Sequence, residues 1–233
     1  MPDYINDNLL VDVSWVKEHI KDANIVIIDC DAADAFNRGH IPGAVHLPTH
    51  QYVKSAKDKL FVMEPNEFSE MCSSMGIDNE SLVIVYDNSQ SLYATRLWWV
   101  FDYYGYSQVK VLNGGWKSWI NEGEECSFER PNIQKNKTFI VSAVPNSSRY
   151  SDKDELMQVC SADNAIIWDV RSNGEYDGTE TRGNKRNGHV PGAIHLEWFS
   201  LMDRETHKFK SLDEMKNMLV DAGIFLDKPI YSY

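Results

Sequence analysis

Asp169 and Arg171 stand two residues apart where the apolar run Ala165-Ile-Ile-Trp-Asp169 ends. Open α/β sheets collect their ligands at the carboxyl ends of strands, so such a pair can brace a loop as an ion pair or meet an anionic substrate. Bracing is the expected role. Arg182, Lys185 and Arg186 gather positive charge in a chain whose 23 Lys and Arg are outnumbered by 35 Asp and Glu. They form a solvated loop or draw a small anion toward an otherwise acidic protein. Trp198, in Leu196-Glu-Trp198, suits a pocket wall and a packed core or interface equally well. His40 and His189 follow glycine in near-identical turns, where an imidazole hydrogen-bonded to local backbone is expected rather than an acid or base. The cysteines offer less. Cys30 follows a strand aspartate, Cys72 falls on an apolar helical face, Cys126 lies in a polar stretch and Cys160 precedes a strand. They are tens of residues apart, which is neither metal-ligand spacing nor a small disulfide framework, so reduced thiols in a cytoplasmic protein are expected.

The net charge of −12 disfavours nucleic acid and anionic membrane surfaces as partners, because both require a basic face. The longest strongly apolar stretches, such as 25–28, 82–86 and 97–101, fall far short of the ~20 residues that a membrane helix needs. The opening MPDYINDN has no basic residue and no apolar stretch behind it, so no secretory signal is expected.

The elements that must position these residues occur twice. Gly39-His-Ile-Pro-Gly-Ala-Val-His-Leu47 recurs as Gly188-His-Val-Pro-Gly-Ala-Ile-His-Leu196. An apolar strand ending in aspartate precedes each copy, Ile25-Val-Ile-Ile-Asp29 and Ala165-Ile-Ile-Trp-Asp169. An amphipathic segment running into Gly-Ile follows each, at 67–77 and 214–224. Ten residues past Gly76 and Gly223, Tyr86 and Tyr233 close further strands. The first copy continues through Asp87-Asn-Ser-Gln-Ser, a helical run from Leu92 to Tyr104, a strand from Val109 to Leu112, and Asn113-Gly-Gly-Trp-Lys-Ser-Trp119. Strands alternating with helices predict an α/β fold, a parallel sheet flanked by helices in each copy. The expected division is a first domain over 1–125, a polar linker over 126–137 and a second domain over 138–233 whose closing third is missing, so that it is incomplete in this chain.

Leu10-Val-Asp-Val-Ser-Trp15, both Gly-His-(Ile/Val)-Pro-Gly-Ala turns, Leu112-Asn-Gly-Gly-Trp116 and Asp169-Val-Arg-Ser-Asn-Gly-Glu-Tyr-Asp-Gly178 together resemble the tandem rhodanese-type sulfurtransferases, which include thiosulfate and 3-mercaptopyruvate sulfurtransferases. The resemblance implies two rhodanese-like domains, the first catalytically silent. The second carries a cysteine just after its fourth strand, in a six-residue loop that opens a helix. Asp87 takes that cysteine's place in the first copy, and in the second the place directly follows Tyr233. No catalytic nucleophile therefore lies in this chain. A cysteine is expected next, in a polypeptide about 35 to 45 residues longer if the repeat lengths hold.

A thiolate ringed by backbone N–H groups at a helix N-terminus has its anion stabilised and can hold a sulfane sulfur as a persulfide before passing it on. Such a relay implies a small anionic sulfur donor and a thiophilic acceptor, and needs neither metal nor organic cofactor. Asp169 and Arg171 would support that loop, while Trp198, Arg182 and Arg186 are candidates for the substrate pocket. Glu175 aligns with a position where some family members carry a substrate-binding arginine. A glutamate there would repel a carboxylate and argues for thiosulfate over mercaptopyruvate. The alternatives are a non-catalytic rhodanese-like module that binds an anion or a protein and, more weakly, a phosphatase with a loop one residue longer.

Overall fold

The computed structural model describes residues 9–57, 59, 61–141, 144–162 and 164–233. These separate into two compact units, residues 9–149 with 204–208, and residues 150–203 with 209–233. Among the described residues, no helix is long and apolar enough to cross a membrane.

In the first unit the chain forms β1 (Leu10–Val11), α1 (Val13–His19), β2 (Ile25–Asp29), α2 (Ala33–Arg38), β3 (Val45–His46), α3 (Pro65–Ser74), β4 (Leu82–Tyr86), α4 (Leu92–Tyr103), β5 (Val109–Leu112) and α5 (Gly115–Asn121). The five strands pair in parallel in the order β1-β5-β4-β2-β3. Both faces are covered by helices, so the central strands read as continuous apolar runs rather than alternating ones. Ile27, Ile28, Val83, Ile84 and Val85 are all buried. The parallel register sets Asp29 opposite Tyr86, so both strands deliver their last side chains to the same edge.

The second unit forms α6 (Lys153–Ala162), β6 (Ile166–Asp169), α7 (Asn173–Asp177), β7 (Ile194–His195), α8 (Leu212–Asp221) and β8 (Ile230–Ser232). Its strands also run parallel, in the order β7-β6-β8, which repeats β3-β2-β4. Among the described residues the second sheet has these three strands, matching three of the five in the first.

The amphipathic segments after each turn form helices that begin and end two or three residues earlier than their apolar periods suggest, and local chemistry accounts for both ends. Pro65 occupies the first turn of α3. Ser211 caps α8 in a reciprocal box with Glu214, whose carboxylate accepts the Ser211 N–H at 3.0 Å. At the other end Gly76 and Gly223 adopt φ of +79° and +86°, the left-handed turn that stops a helix. Gly-Ile is thus the exit from each helix.

The polar stretch beyond α5 is pinned along the first unit. Ser127 and His40 exchange backbone hydrogen bonds of 2.8 and 3.0 Å, and Lys137 pairs with Asp78. Phe139, 1% exposed, inserts among Phe68, Phe101 and Tyr106 with ring centroids 4.9 to 6.3 Å away, while its N–H donates to Ser73 Oγ at 2.9 Å. Truncating a buried phenylalanine removes its transfer energy and leaves a cavity, together about 3 to 5 kcal/mol. Phe139→Ala should therefore lower the free energy of unfolding of the first unit, read from urea titration, by about 3 to 5 kcal/mol, and an unchanged urea midpoint would show that the segment is not part of its core.

Candidate active site

The edge where β2 and β4 end carries a buried tie repeated at the ends of β6 and β8. Tyr86 donates its hydroxyl to Asp29 Oδ2 at 2.7 Å and accepts the Ile41 N–H at 3.1 Å. Tyr233 likewise accepts the Val190 N–H at 2.8 Å, and the Asp169 carboxylate beside it raises its phenol after burial has done so. Ile41 and Val190 follow the two histidines, so these contacts fasten each Gly-His-(Ile/Val)-Pro-Gly turn to the sheet. The histidines behave as expected from their turns: His40 Nδ1 lies 3.0 Å from the Phe36 carbonyl oxygen and His189 Nδ1 2.8 Å from that of Tyr176. Each imidazole stacks on the same aromatic position, at 3.8 Å in both copies.

Asp87 follows the tie in the first copy and is 1% exposed. Its Oδ1 accepts the N–H groups of Ser89 and Ser91, and its Oδ2 those of Tyr93 and Ala94, all at 2.8 Å. Left-handed φ values at Gln90 and Ser91, +57° and +64°, curl the loop so that these amides converge. The last two donors belong to the first turn of α4, where the helix dipole also favours an anion. Gly115 closes the loop from behind: at φ +50° a Cβ there would meet the Asp87 carbonyl oxygen at 2.0 Å. The loop is an anion cradle filled by its own carboxylate. Each Asp87 oxygen lies two bonds beyond Cβ, as the outer sulfur of a cysteine persulfide would on its longer Cβ–Sγ–S stem.

Asp31 adds a third carboxylate. Its Oδ2 accepts the Asn88 N–H at 2.8 Å, and it borders a cavity of about 230 Å³ with Asp29, Arg38, Ser89 and Trp116. Burial, reinforced by the Asp29 and Asp87 charges, pushes the Asp31 carboxyl up to about 7. Asp29 and Asp87 are also raised by burial, against the hydrogen bonds they accept.

Arg171 takes the corresponding place in the second copy. It grips the fully buried Asp169 through Nε at 2.9 Å and a terminal nitrogen at 2.5 Å, with its own N–H at 3.0 Å. That terminal nitrogen also donates to the Gly188 carbonyl at 3.0 Å, and the guanidinium lies 4.9 Å from the centre of the Tyr233 ring. Burial works to raise the Asp169 carboxyl, but the Arg171 bonds outweigh it and hold it below the usual value.

Asp169 and Arg171 are thus brought together with Tyr233. Glu175 is 8% exposed and closes the capping box of α7 with Ser172, and Arg182 Nε approaches its Oε2 at 3.3 Å. Its charge is engaged by Arg182 instead of facing an open pocket. Arg186 is exposed on the loop beyond. Trp198 is half-buried and fixed by its backbone, its N–H donating to the Val170 carbonyl beside Asp169 at 3.0 Å. Sequence reasoning missed Asp31. The signal was its offset of two from the strand aspartate, the same offset that drew attention to Arg171.

Parallel sheets flanked by helices, with a loop after the first copy's strand tyrosine whose amides converge on a carboxylate, define an α/β protein with an anion-binding backbone at the carboxyl edge of its sheet. Rhodanese-like domains match residues 12–122 and 152–233, and the chain belongs to that family. It is 28% identical over 240 residues to the sulfur carrier protein TtuD of Thermus thermophilus, covering 99% of this chain and 83% of that one. It is 27% identical over 237 residues to thiosulfate sulfurtransferase of Gallus gallus, covering 95% and 80%. The crystal structure of the 3-mercaptopyruvate sulfotransferase SseA from Escherichia coli shares its fold, with a TM-score of 0.82 at 24% identity over 96% of this chain and 87% of that one.

The folded protein holds the Asp31 proton more tightly than the unfolded chain, so stability from this group is lost as pH rises from about 4 through about 7. Asp31→Asn removes the titration and keeps an acceptor for Asn88. Thermal melts should show the variant matching wild type near pH 4 and exceeding it increasingly above that, by a few °C at pH 8. A difference independent of pH would contradict this origin.

Proposed function

We propose that the protein is a cytoplasmic sulfurtransferase that moves a sulfane sulfur from a thiosulfate-like donor to a thiophilic acceptor, with its first domain catalytically silent. The observation that carries this reading is the cradle around Asp87: four N–H groups aimed at an anion one position past the strand tyrosine. The second copy repeats the strand aspartate, the tyrosine and the turn that support such a position, and has a cation beside them.

In this reading the nucleophile is a cysteine at the position following Tyr233, equivalent to Asp87. Its thiolate attacks the outer sulfur of thiosulfate, forming a Cys–S–S⁻ persulfide as the sulfur–sulfur bond to sulfite breaks and sulfite departs with the bonding electrons. An acceptor such as cyanide then attacks the outer sulfur, and the thiolate leaves unchanged. No net electron transfer to the protein occurs, so no cofactor enters. Asp169 and Arg171 are positioning residues: the ion pair fixes the strand end and Tyr233, and the guanidinium favours negative charge nearby. Arg182 and Arg186 draw the anionic donor, and Trp198 walls its pocket. Glu175 holds Arg182 and offers no cation to a substrate carboxylate, which favours thiosulfate over mercaptopyruvate.

The native protein, purified from its source, should form thiocyanate from thiosulfate and cyanide, and should gain about 32 Da, one sulfur atom, on incubation with thiosulfate alone. Neither product forming would overturn the reading in favour of a binding module. Arg171→Lys keeps the charge but loses the paired grip on Asp169. It should lower kcat/KM about tenfold and move the acid limb of its pH profile upward, whereas a purely structural role would leave that limb in place.

A further inference from the structure

The two copies agree at nearly every polar position around the site. Asp29 matches Asp169, Tyr86 matches Tyr233, and His40 matches His189. His46 and His195 make equivalent contacts, 3.0 and 2.8 Å, to the carbonyl oxygens of Asp31 and Arg171. The exception among these is the residue two places past the strand aspartate. We infer that this residue, Asp31 in the first copy and Arg171 in the second, decides which copy can carry a reactive sulfur, so that the first would stay silent even with a cysteine in place of Asp87. The inference deepens the sulfurtransferase reading and rests on it for its biological meaning.

The argument is electrostatic and geometric. Arg171 neutralises Asp169 and makes the strand end a neutral pair with its cation toward Tyr233. Asp31 instead adds a carboxylate to that of Asp29, and its oxygen is bonded to the amide directly after Asp87. A thiolate at position 87 would face Asp29 and Asp31, together with the neutral groups Cys30, Tyr86 and Tyr93. Arg38, which borders the same cavity, is engaged by Asp34 at 2.8 Å, and His40 and His46 bond backbone carbonyl oxygens. The first copy already contains a probe of this field. Cys30, between Asp29 and Asp31, has its thiol pushed well up by burial and then by the Asp87, Asp29 and Asp31 charges. The cradle amides favour an anion at position 87, and one carboxylate fits them; a sulfur anion in the same place gains the same amides but keeps two carboxylates as neighbours.

The test introduces the cysteine with and without the neighbouring charge change, in Asp87→Cys, Asp31→Asn/Asp87→Cys and Asp31→Arg/Asp87→Cys. Iodoacetamide labelling is followed at position 87 by peptide mass spectrometry from pH 5 to 10, which keeps the four native cysteines separate. The single variant should titrate above the free-thiol value of about 8.5. The double variant with arginine should titrate at least one pH unit lower, and the one with asparagine in between. Midpoints within about 0.3 unit of one another, or the lowest midpoint in the single variant, would overturn the inference. If the arginine variant does not fold, the asparagine variant decides alone, because removing one carboxylate must still lower the midpoint. No sulfur donor is involved, so failure of thiocyanate formation by the native protein and failure of these midpoints to shift are separate results.

Discussion

The buried hydrogen bond between the strand-end Asp29 and Tyr86, which closes the neighbouring strand, organises the first half of this protein, and Asp169 and Tyr233 take the same places in the second. In the first copy Asp29 is 2% exposed and Tyr86 is fully buried. Polar groups so placed must find partners within the protein or destabilise it. Their solution fixes three things at once: the register of two adjacent parallel strands, the position of the Gly-His-Ile-Pro-Gly turn whose Ile41 amide the tyrosine receives, and the direction in which the chain leaves the sheet. A loop starting from a point so tightly held can aim its amides at one place, which is what the Asp87 cradle does.

Charge then differentiates what geometry makes equivalent. Asp87 supplies the carboxylate that the loop amides bind, so the first copy has a carboxylate where a sulfur nucleophile would stand. Three carboxylates end up within one small region. The four amides stabilise one of them, Tyr86 and the Asp31 amide bond another, and the third, Asp31, is left with the greatest incentive to hold a proton near neutrality. In the second copy Arg171 reverses this logic, since a bidentate guanidinium lets Asp169 remain ionised while fully buried.

Much of the fold was legible in the sequence because it is written twice. The strands 25–29, 82–86 and 109–112 are found where their apolar runs lie, and the repeated turns locate the switch from strand to loop in each half. The helix ends shifted because capping by Pro65, Ser211 and the two glycines depends on single residues that an apolar period does not register. Asp169 with Arg171 was readable from proximity in sequence. The destination of the Tyr86 hydroxyl was not, because its partner lies 57 residues away across the sheet. Glu175 shows the same limit. Its carboxylate closes a helix cap and meets Arg182, a residue in the stretch that makes the second copy longer, and neither contact could be read from the order of the residues.

A loop whose anion is its own side chain has no need of a cradle for a ligand, yet four amides converge on Asp87, all at 2.8 Å. Physical chemistry accounts for this without invoking catalysis. Once Tyr86, Gly115 and α4 are packed, the loop backbone has few other conformations, and four converging N–H groups buried without an anion would be costly. Aspartate satisfies them all from one side chain. The price is the crowding of Asp29 and Asp31, which a proton on Asp31 relieves by reducing three charges to two. The Asp87 loop is therefore a stable structure in its own right, held together by its anion-seeking backbone.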